Sequence, residues 1–559
     1  MLNNNREKIS SVSEQTEAQH TQINKSHHDA VLIMKSYEGH PALYQLNTEK
    51  KYIDTMNKKV RQWTYGRRDR KKQNKVILMV GETGAGKTTM INTIINYFLG
   101  VKFEDEEFYQ ITEEEKDKDQ SQSQTSAVTV YEVFVEENPT SLTIIDTPGY
   151  GDTEGYERDR EISEYLIRLF SDEDGIHYMG AVCFVMKASQ NRLSGKEHYI
   201  FHSVLSLFGK DIENNIVFLF TQSTGVPPTD ALNAINKAEI PCRKDEDNLP
   251  VHFLFNNQQK EKRDKRYKRV LKSAWEMGDE SMKEFFTLLE EKNRKSVKMT
   301  LDVLNERRRL EACVSNLMDR IFEKELKAEE LNQIKEAISQ NRDKIEKGED
   351  FEFTFKKVVK EKVPIENEWW WNSMATCCSV CKENCHEWNC WWVDPEELQK
   401  CEVMKDNKCT VCTKKCPHEK HIKEDKKYVT KEEIVSMKFN DLKQMRFVEK
   451  SENKTDIEED LDSDLEKNKN DRSKLLDEAY VTIMKLSTIA LKADSAFTLQ
   501  YLDILIPRLK EERKDEWMKN LEELRKAGEE KKNKWAIQHL LDFSRQKWKQ
   551  WSVVFSKDK

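Results

Sequence analysis

The segment GETGAGKT at residues 81–88 constrains the fold of this chain more than any other feature. The apolar run Val76–Val80 stands directly before it, and the helical pattern MINTIINYFLG follows it. A buried strand, a glycine-rich turn and a helix in this order match the GxxxxGK[ST] phosphate-binding loop, in which backbone N–H groups and the helix dipole favour an anion. The expected nucleotide-binding residues of this loop are Gly81, Glu82, Thr83, Gly84, Ala85, Gly86, Lys87, Thr88 and Thr89.

Four side chains or backbone groups have the chemistry that a nucleotide phosphate requires. Lys87 is expected to bridge the β- and γ-phosphates as a point charge, and Thr88 is expected to offer its hydroxyl to Mg²⁺. The sequence DTPG that begins at Asp146 follows an apolar run without a gap. An acid at the tip of a buried strand can hold Mg²⁺ through a water molecule, so Asp146 is the second expected magnesium contact. The Gly149 amide is expected to sense the γ-phosphate.

The polar loop between these two motifs is the expected place of a threonine that responds to bound Mg²⁺. Thr125 is the preferred candidate near the end of this loop, and Ser126 and Thr129 are alternatives. Together with Lys87 and Gly149, Thr125 completes the expected catalytic set.

The uneven distribution of glycine separates one loop-rich domain from the rest of the chain. Of the 17 glycines, 12 lie between Gly81 and Gly225. The same region alternates strand candidates with helical patterns, which predicts an α/β fold with a mostly parallel sheet. The strand candidates are Val76–Val80, Val128–Val135, Leu142–Ile145, Ala181–Met186, Ile216–Phe220 and Val251–Phe255.

The two motifs, with an antiparallel-looking strand between them, resemble those of the TRAFAC-class GTPases. The phrases GETGAGKTTMINTIINY and DTPGYGDTEG are most similar to the septins and to the immunity-associated and chloroplast-import-receptor GTPases of the avirulence-induced-gene type. The chain also looks like a group of fish G-domain proteins that carry a cysteine-rich segment after the G domain. The resemblance covers residues 65–260 and implies a P-loop G domain that uses GTP, GDP and Mg²⁺.

This sequence departs from the common GTPase pattern at two places. The guanine-reading motif [NT]KxD is replaced by TQSTG at residues 221–225, so guanine preference is implied only by the resemblance, and ATP or loose purine binding is an alternative. The sequence FNN that ends at Asn257 resembles the base-binding segment of the immunity-associated branch, which makes Asn257 the candidate base contact. Tyr150 stands where many GTPases place the glutamine that orients the attacking water, so slow hydrolysis is expected.

Nine of the 12 cysteines and six of the 12 tryptophans lie within residues 369–421. The pattern C-x2-C-x3-C-x4-C recurs 31 residues later with histidine in its last position, so each copy supplies the four soft ligands of a structural Zn²⁺. The expected ligands of two zinc ions are Cys378, Cys381, Cys385, Cys390, Cys409, Cys412, Cys416 and His421. The repeat leaves open whether ligands pair within a copy or across copies. Cys377 and Cys401 are surplus, and His386 or His418 could replace an assigned ligand.

These features divide the chain into six expected parts. They are a mobile N-terminal arm at 1–64, a P-loop G domain at 65–275, long charged helices at 276–348, a cysteine- and tryptophan-rich zinc module at 349–430, a charged linker at 431–474 and C-terminal helices at 475–559. The 4-3-4 spacing of Leu310, Val314, Leu317 and Ile321 predicts a long helix that packs on another element, with a coiled-coil dimer as the alternative.

Charge and hydropathy predict where the protein acts. The formal net charge of −8 argues against general binding to nucleic acid. No apolar run approaches the about 18 residues of a membrane span, and the polar N-terminus lacks the core of a signal peptide, so a cytoplasmic protein with reduced cysteines is expected. The stretch Lys58–Lys75 holds nine Lys or Arg and one Asp. It is a candidate contact with an anionic membrane surface, and a solvated arm is the alternative interpretation.

Two functions of different classes fit the sequence. The first is a slow GTPase that acts as a nucleotide-controlled switch or assembly unit and associates with itself through the G domain or the helices. The second is a scaffold that binds nucleotide without turnover, while its zinc module and helices bind protein partners. Both need Lys87 for nucleotide binding, and they differ in whether the nucleotide is hydrolysed.

Overall fold

A computed structural model describes most of the 559-residue chain. The described residues are 28–36, 39–53, 60–69, 71–113, 127–149, 156–172, 175–190, 192–193, 195–205, 207–290, 294–365, 374–387, 393–449, 457–489 and 496–530. The chain divides into two compact units, each built from three stretches. The first unit takes 1–152, 176–192 and 214–296, and the second takes 153–175, 193–213 and 297–559. The expected G domain at 65–275 is therefore not one uninterrupted unit.

The first half of the chain begins with five strands and then mixes helices with strands, whereas long helices account for most of the regular structure in the second half. The strands are β1 (Ala30–Met34), β2 (Ala42–Leu46), β3 (Glu49–Tyr52), β4 (Val60–Tyr65), β5 (Gln73–Gly81), β6 (Glu107–Gln110), β7 (Val128–Val133), β8 (Thr140–Asp146), β9 (Tyr178–Met179), β10 (Ala181–Lys187), β11 (Ile216–Thr221), β12 (His252–Leu254), β13 (Lys295–Ser296), β14 (Glu352–Pro364), β15 (Ala375–Cys378), β16 (Glu383–Glu387), β17 (Met404–Lys405), β18 (Lys408–Cys409), β19 (His421–Glu424) and β20 (Lys426–Lys438). The helices are α1 (Lys87–Phe98), α2 (Tyr156–Ser171), α3 (Gly195–Leu205), α4 (Thr229–Lys237), α5 (Lys268–Glu290), α6 (Lys298–Gln340), α7 (Arg342–Glu346), α8 (Phe439–Glu449), α9 (Ile457–Ile489), α10 (Ala496–Glu511) and α11 (Asp515–Glu530).

An eight-stranded sheet organises the first unit. Its strand order is β12-β11-β10-β5-β8-β7-β4-β3. Strands β12, β11, β10, β5 and β8 run parallel, whereas β7 is antiparallel to β8. The residues 77–80 at the centre of β5 are fully buried, as expected for a parallel strand covered on both faces. The predicted α/β fold with a mostly parallel sheet is confirmed, including the antiparallel strand between the two motifs.

The N-terminal region contributes strands to the first unit, so the prediction of a mobile arm through residue 64 is wrong for the described residues. Strand β4 pairs in parallel with β7, and β3 pairs with β4 at the edge of the large sheet. Strand β2 lies between β1 and β6 in a separate three-stranded sheet. The sequence analysis missed β3 and β4 because their sequences, EKKY and VRQWTY, are charged and lack an apolar run.

The basic stretch Lys58–Lys75 is largely built into this sheet rather than forming a solvated arm. Trp63 and Tyr65 are buried in the core, where they cannot anchor the chain at a membrane. The Lys75 side chain is also buried, and its Nζ lies 3.3 Å from Glu290 Oε1. Contact with an anionic membrane surface stays a prediction that rests on the remaining basic side chains.

Helix α6 is the longest element of the second unit, with 43 residues. Its predicted apolar seam of Leu310, Val314, Leu317 and Ile321 is buried in one cluster with residues of α9, α10 and α11. The prediction that this helix packs on another element is confirmed. The covering residues come from the same chain, so the seam is used for intramolecular packing rather than being open for a coiled-coil partner.

A two-stranded antiparallel ribbon follows α6 in the second unit. Strands β14 and β20 pair without interruption from Glu352↔Lys438 to Pro364↔Lys426. Two N–H groups of β14 are satisfied by side chains of α6, because the Lys356 amide donates to Gln333 Oε1 at 2.8 Å and the Val358 amide donates to Glu330 Oε2 at 2.9 Å. The expected charged linker at 431–474 is therefore wrong for the described residues, which form part of β20, helix α8 and the first half of α9.

The cysteine-rich residues are inserted between the two strands of this ribbon. Strand β15 lies between β16 and β19 in a three-stranded sheet, and β17 pairs with β18 in a short hairpin.

None of the helices within the described residues is both long enough and apolar enough to cross a membrane.

Candidate functional site

The phosphate-binding loop connects β5 to α1 and requires glycine at several positions. Gly84 and Gly86 have φ angles of 77° and 96°, in the left-handed region that glycine adopts without strain. A methyl group at Gly81 would lie 2.5 Å from the carbonyl oxygen of Val185 on the neighbouring strand β10. The loop therefore has the conformation that the motif predicts, and Gly86 is the residue from which α1 begins.

Lys87 is the first residue of α1, and its side chain folds back across the loop. Its Nζ donates hydrogen bonds to the carbonyl oxygens of Gly81 at 2.9 Å and Glu82 at 3.1 Å. These bonds hold a buried ammonium group over the loop, where phosphate oxygens can replace the carbonyl oxygens as acceptors. Thr83 Oγ1 is buried and has no hydrogen-bond partner among the described residues, so this hydroxyl is available to a ligand.

The sequence DTPG lies beside the phosphate-binding loop because β8 is the parallel neighbour of β5. Asp146 is paired in register with Met79, and its side chain is buried. The Thr147 hydroxyl donates to the Met79 carbonyl at 2.9 Å, which fixes the exit from β8. A methyl group at Gly149 would lie 2.2 Å from Thr83 Oγ1 and 2.9 Å from the Thr83 backbone nitrogen. The structure thus brings the two predicted phosphate motifs into direct contact.

Strand β7 carries two residues with buried hydroxyl groups, Thr129 and Tyr131, near the Asp146 carboxylate of β8. Thr129 is paired in register with Asp146 across the antiparallel strands and is buried. Burial and the Asp146 carboxylate together raise the pKa of Tyr131, so this phenol stays protonated. Thr129, an alternative candidate for the switch threonine, therefore lies on the sheet beside the predicted magnesium contact. The preferred candidate Thr125, the alternative Ser126 and the tyrosine at 150 lie outside the described residues.

The segment that replaces the guanine-reading motif is tied to the phosphate-binding loop. The Thr221 hydroxyl donates to the Ala85 carbonyl at 2.7 Å, and the Ser223 amide donates to the Phe255 carbonyl at 2.9 Å. Sequence reasoning did not assign a role to Thr221, because nothing in the local sequence shows that the tip of β11 lies beside the loop. The half-buried Asn257 donates from Nδ2 to Met90 Sδ at 3.2 Å, so its amide contacts helix α1. Its role in base recognition stays a prediction.

The cysteine-rich residues bring their side chains together in two groups that share one member. The first group is Cys378, Cys381, Cys412 and Cys416, and the second is Cys385, Cys409, Cys412 and His421. Within each group the candidate ligand atoms lie within 4.8 Å of one another. Both groups take residues from both copies of the repeat, so the candidate ligand side chains are grouped across the copies rather than within them. The expected ligand Cys390 lies outside the described residues.

Backbone groups support the clustered sulfur atoms. The Cys381 and Cys412 amides each donate to the sulfur three residues earlier at 3.4 Å, and the Cys416 amide donates to Cys412 Sγ at 3.2 Å. Such bonds stabilise thiolates. Hydrogen bonds to Cys385 and Cys409 lower the pKa of Cys412 well below its usual range. His421 Nδ1 lies 2.9 Å from the Pro417 carbonyl oxygen, an arrangement that directs Nε2 toward the sulfur atoms.

Four further residues had been considered as metal ligands from the sequence, and all of them lie outside both groups: Cys377, Cys401, His386 and His418. The Cys377 thiol contacts Asn384 Oδ1 at 3.4 Å, and burial raises its pKa to about 12, which keeps it protonated. His386 Nδ1 lies 3.4 Å from Cys401 Sγ in a separate buried contact. His418 lies beside Glu419, with 3.8 Å between its Nε2 and Glu419 Oε1. The cysteines within the described residues form no disulfide.

Comparisons with known proteins found similarity in the part of the chain that contains the phosphate-binding loop. Residues 75–303 match the model of the AIG1 family. Septin-14 of Mus musculus is 38% identical over 76 residues, which span 14% of this chain and 15% of the septin. Among solved structures, Toc33 from Arabidopsis thaliana in complex with Mg²⁺ and GMPPNP matches 40% of this chain and 88% of its own, with 13% identity and a TM-score of 0.29. Elongation factor SelB from Methanococcus maripaludis in complex with GppNHp matches with 10% identity and a TM-score of 0.23. Residues 75–303 of this chain are therefore similar to the AIG1 family, and a 76-residue stretch is similar to a septin.

Proposed function

We propose that the protein binds guanine nucleotide with Mg²⁺ at the loop 81–89 and hydrolyses GTP slowly as a switch or assembly unit. The observation that carries this proposal is the contact between the two phosphate motifs, in which Gly149 lies against Thr83 of the loop. A γ-phosphate bound by the loop would lie at this contact. The presence or absence of that phosphate can therefore change the position of the segment after β8, which is the requirement for a nucleotide-controlled switch.

The residues of the site have distinct proposed roles. Lys87 binds the β- and γ-phosphate oxygens, and the backbone amides of the loop hold the remaining charge. Thr88 and Asp146 would hold Mg²⁺, directly and through water, and the ion would neutralise charge that develops on the phosphates. Asn257 is the proposed base contact, on the strength of its place next to α1 at 3.2 Å from Met90 Sδ. Thr125 is the proposed threonine that responds to Mg²⁺.

Slow turnover and self-association are linked in this proposal. Tyr150 replaces the glutamine that orients the attacking water in many GTPases, and a tyrosine cannot supply the same pair of hydrogen bonds. A group from a second copy of the chain would then complete the site, as arginine residues supplied in trans do in other GTPases. Hydrolysis would therefore depend on assembly, whereas binding would not.

Single-turnover hydrolysis across a range of protein concentrations tests this function. We expect GTP to be hydrolysed with a rate per chain that rises with protein concentration, because the dilute protein lacks the completing group. ATP, measured in parallel, is expected to show no comparable turnover. A fast rate that does not change on dilution would contradict the link to assembly, and equal turnover of ATP would contradict guanine recognition. No turnover of bound GTP at any concentration would favour the non-hydrolysing scaffold.

The substitution Gly149→Ala tests the γ-phosphate contact. Its methyl group would lie 2.2 Å from Thr83 Oγ1, so the segment must move away from the loop at a cost of about 1–3 kcal/mol. We expect the affinity for a non-hydrolysable GTP analogue to fall about 10-fold, whereas GDP affinity stays within about 2-fold. Fluorescence titration with both nucleotides measures this ratio.

Gly278→Ala in helix α5 is the matched control, because the nearest atom to its added methyl group is 3.9 Å away. This variant should keep both affinities. Equal losses of GDP and GTP-analogue affinity in Gly149→Ala would show that Gly149 does not sense the γ-phosphate.

A further inference from the structure

We propose that the cysteine-rich residues hold two Zn²⁺ ions that share the Cys412 thiolate as a bridging ligand. The first ion takes Cys378, Cys381 and Cys416, and the second takes Cys385, Cys409 and His421. Cys412 is the fourth ligand of both, because it alone belongs to both groups of side chains. The cluster therefore has six sulfur ligands and one nitrogen ligand, rather than two separate four-ligand sites.

The distances fit tetrahedral zinc. A Zn–S bond of about 2.3 Å and tetrahedral angles place neighbouring sulfur atoms about 3.8 Å apart. Cys381 Sγ and Cys416 Sγ are 3.8 Å apart, and all candidate atoms of each group lie within 4.8 Å of one another. Six of the seven ligand residues are buried, and Cys381 is half-buried, which is the environment of a closed structural site rather than of an open catalytic one.

The number of candidate ligands among the described residues fits a bridging thiolate. Two tetrahedral ions need eight coordination positions, and the described residues bring seven side chains together. A thiolate sulfur has further lone pairs after it has bound one metal ion, so one cysteine can fill a position on both. The amide of Cys416 donates to this sulfur at 3.2 Å and offsets part of the negative charge of the cluster.

The surrounding contacts hold the two halves of the cluster in place, and they involve side chains that belong to neither group of candidate ligands. Glu383 of β16 accepts a hydrogen bond from the Thr413 amide at 2.9 Å, so the first half of the module is tied to the loop that carries Cys412. Lys415 Nζ donates to the Thr410 carbonyl at 2.7 Å and closes that loop. These contacts pre-form the crossed arrangement that the bridging model needs.

Metal counting and cadmium spectroscopy test the bridge in the full-length protein. We expect two zinc ions per chain by plasma mass spectrometry after exchange against a mild chelator. After replacement of zinc by ¹¹³Cd, we expect two resonances that split each other through the shared sulfur. One ion per chain, or two resonances without mutual splitting, would overturn the proposal, and this measurement needs no substitution.

Three substitutions give an independent readout. Cys412→Ser should lose both ions under chelator competition, because each ion then keeps three ligands, whereas Cys381→Ser should lose one. Cys390→Ala should keep both, and its loss of one ion would support two separate four-ligand sites instead. Cys313→Ala is the matched control, because this half-buried thiol on α6 belongs to neither group.

Discussion

Lys87→Ala is expected to lower the affinity for GDP and GTP by at least about 100-fold. The ammonium group is buried and fixed over the loop by the carbonyl oxygens of Gly81 and Glu82, so its charge is directed at the bound phosphates. Charge-assisted hydrogen bonds contribute about 1.5–3 kcal/mol each, and loss of two of them corresponds to about 100-fold or more. Isothermal titration with GDP measures the loss, and the nucleotide released from denatured wild-type protein should be GTP or GDP.

Lys237→Ala is the matched control for this substitution. It removes an exposed lysine in the last turn of α4, within the same unit but away from the loop. Its GDP affinity should equal that of the wild type. If Lys87→Ala kept its affinity, the assignment of the phosphate site would be wrong under both proposed functions.

Removal of metal is expected to unfold the cysteine-rich residues locally. Of the eleven buried residues in the apolar cluster of this module, six are cysteines, so little conventional core would hold the short strands β15, β16 and β19 together. Structural zinc contributes about 10–16 kcal/mol to the folding of small zinc-binding peptides. We expect the amides of residues 375–387 and 408–424 to lose most of their protection from hydrogen exchange after chelation, measured by mass spectrometry of peptic fragments.

Addition of Zn²⁺ under reducing conditions should restore this protection. Helix α6 outside the module provides an internal reference, since its apolar seam is covered by α9, α10 and α11 and does not depend on cysteine ligands. Full protection of the module in protein shown to be metal-free would contradict a structural role for metal. This test is separate from the bridging proposal, because either one or two ions would produce the effect.

The nucleotide site could be predicted from sequence because its determinants are local. The glycines at 81, 84 and 86 set the backbone of the loop, and the apolar run before them identifies a central strand. The expected role of Gly149 also came from a local motif, and the structure brings Gly149 to Thr83 because β5 and β8 are parallel neighbours that end at the same edge of the sheet. Thr221 was missed because its hydrogen bond to Ala85 depends on the order of strands β5, β10 and β11, which no local pattern encodes.

The edge strand β3 and the ligand pairing needed the structure for a different reason. Strand β3, with the sequence EKKY, lies at the sheet edge with exposed side chains, so its pairing with β4 leaves no apolar signal. The two copies of the cysteine repeat have equal spacing, so pairing within copies and pairing across copies satisfy the sequence equally well. Only the packing of β15, β16 and β19 against the loop 409–416 distinguishes them.

The stability of the paired strands β14 and β20 depends little on the length of the segment that is inserted between them. Its strands stay paired up to Pro364 and Lys426, so the ends of the intervening segment are already held side by side. The entropy of closing such a segment rises only with the logarithm of its length, by about 0.6 kcal/mol for each doubling. The ribbon can therefore accommodate cysteine modules of very different lengths at nearly constant cost, which makes this position of the chain thermodynamically tolerant of insertion and replacement.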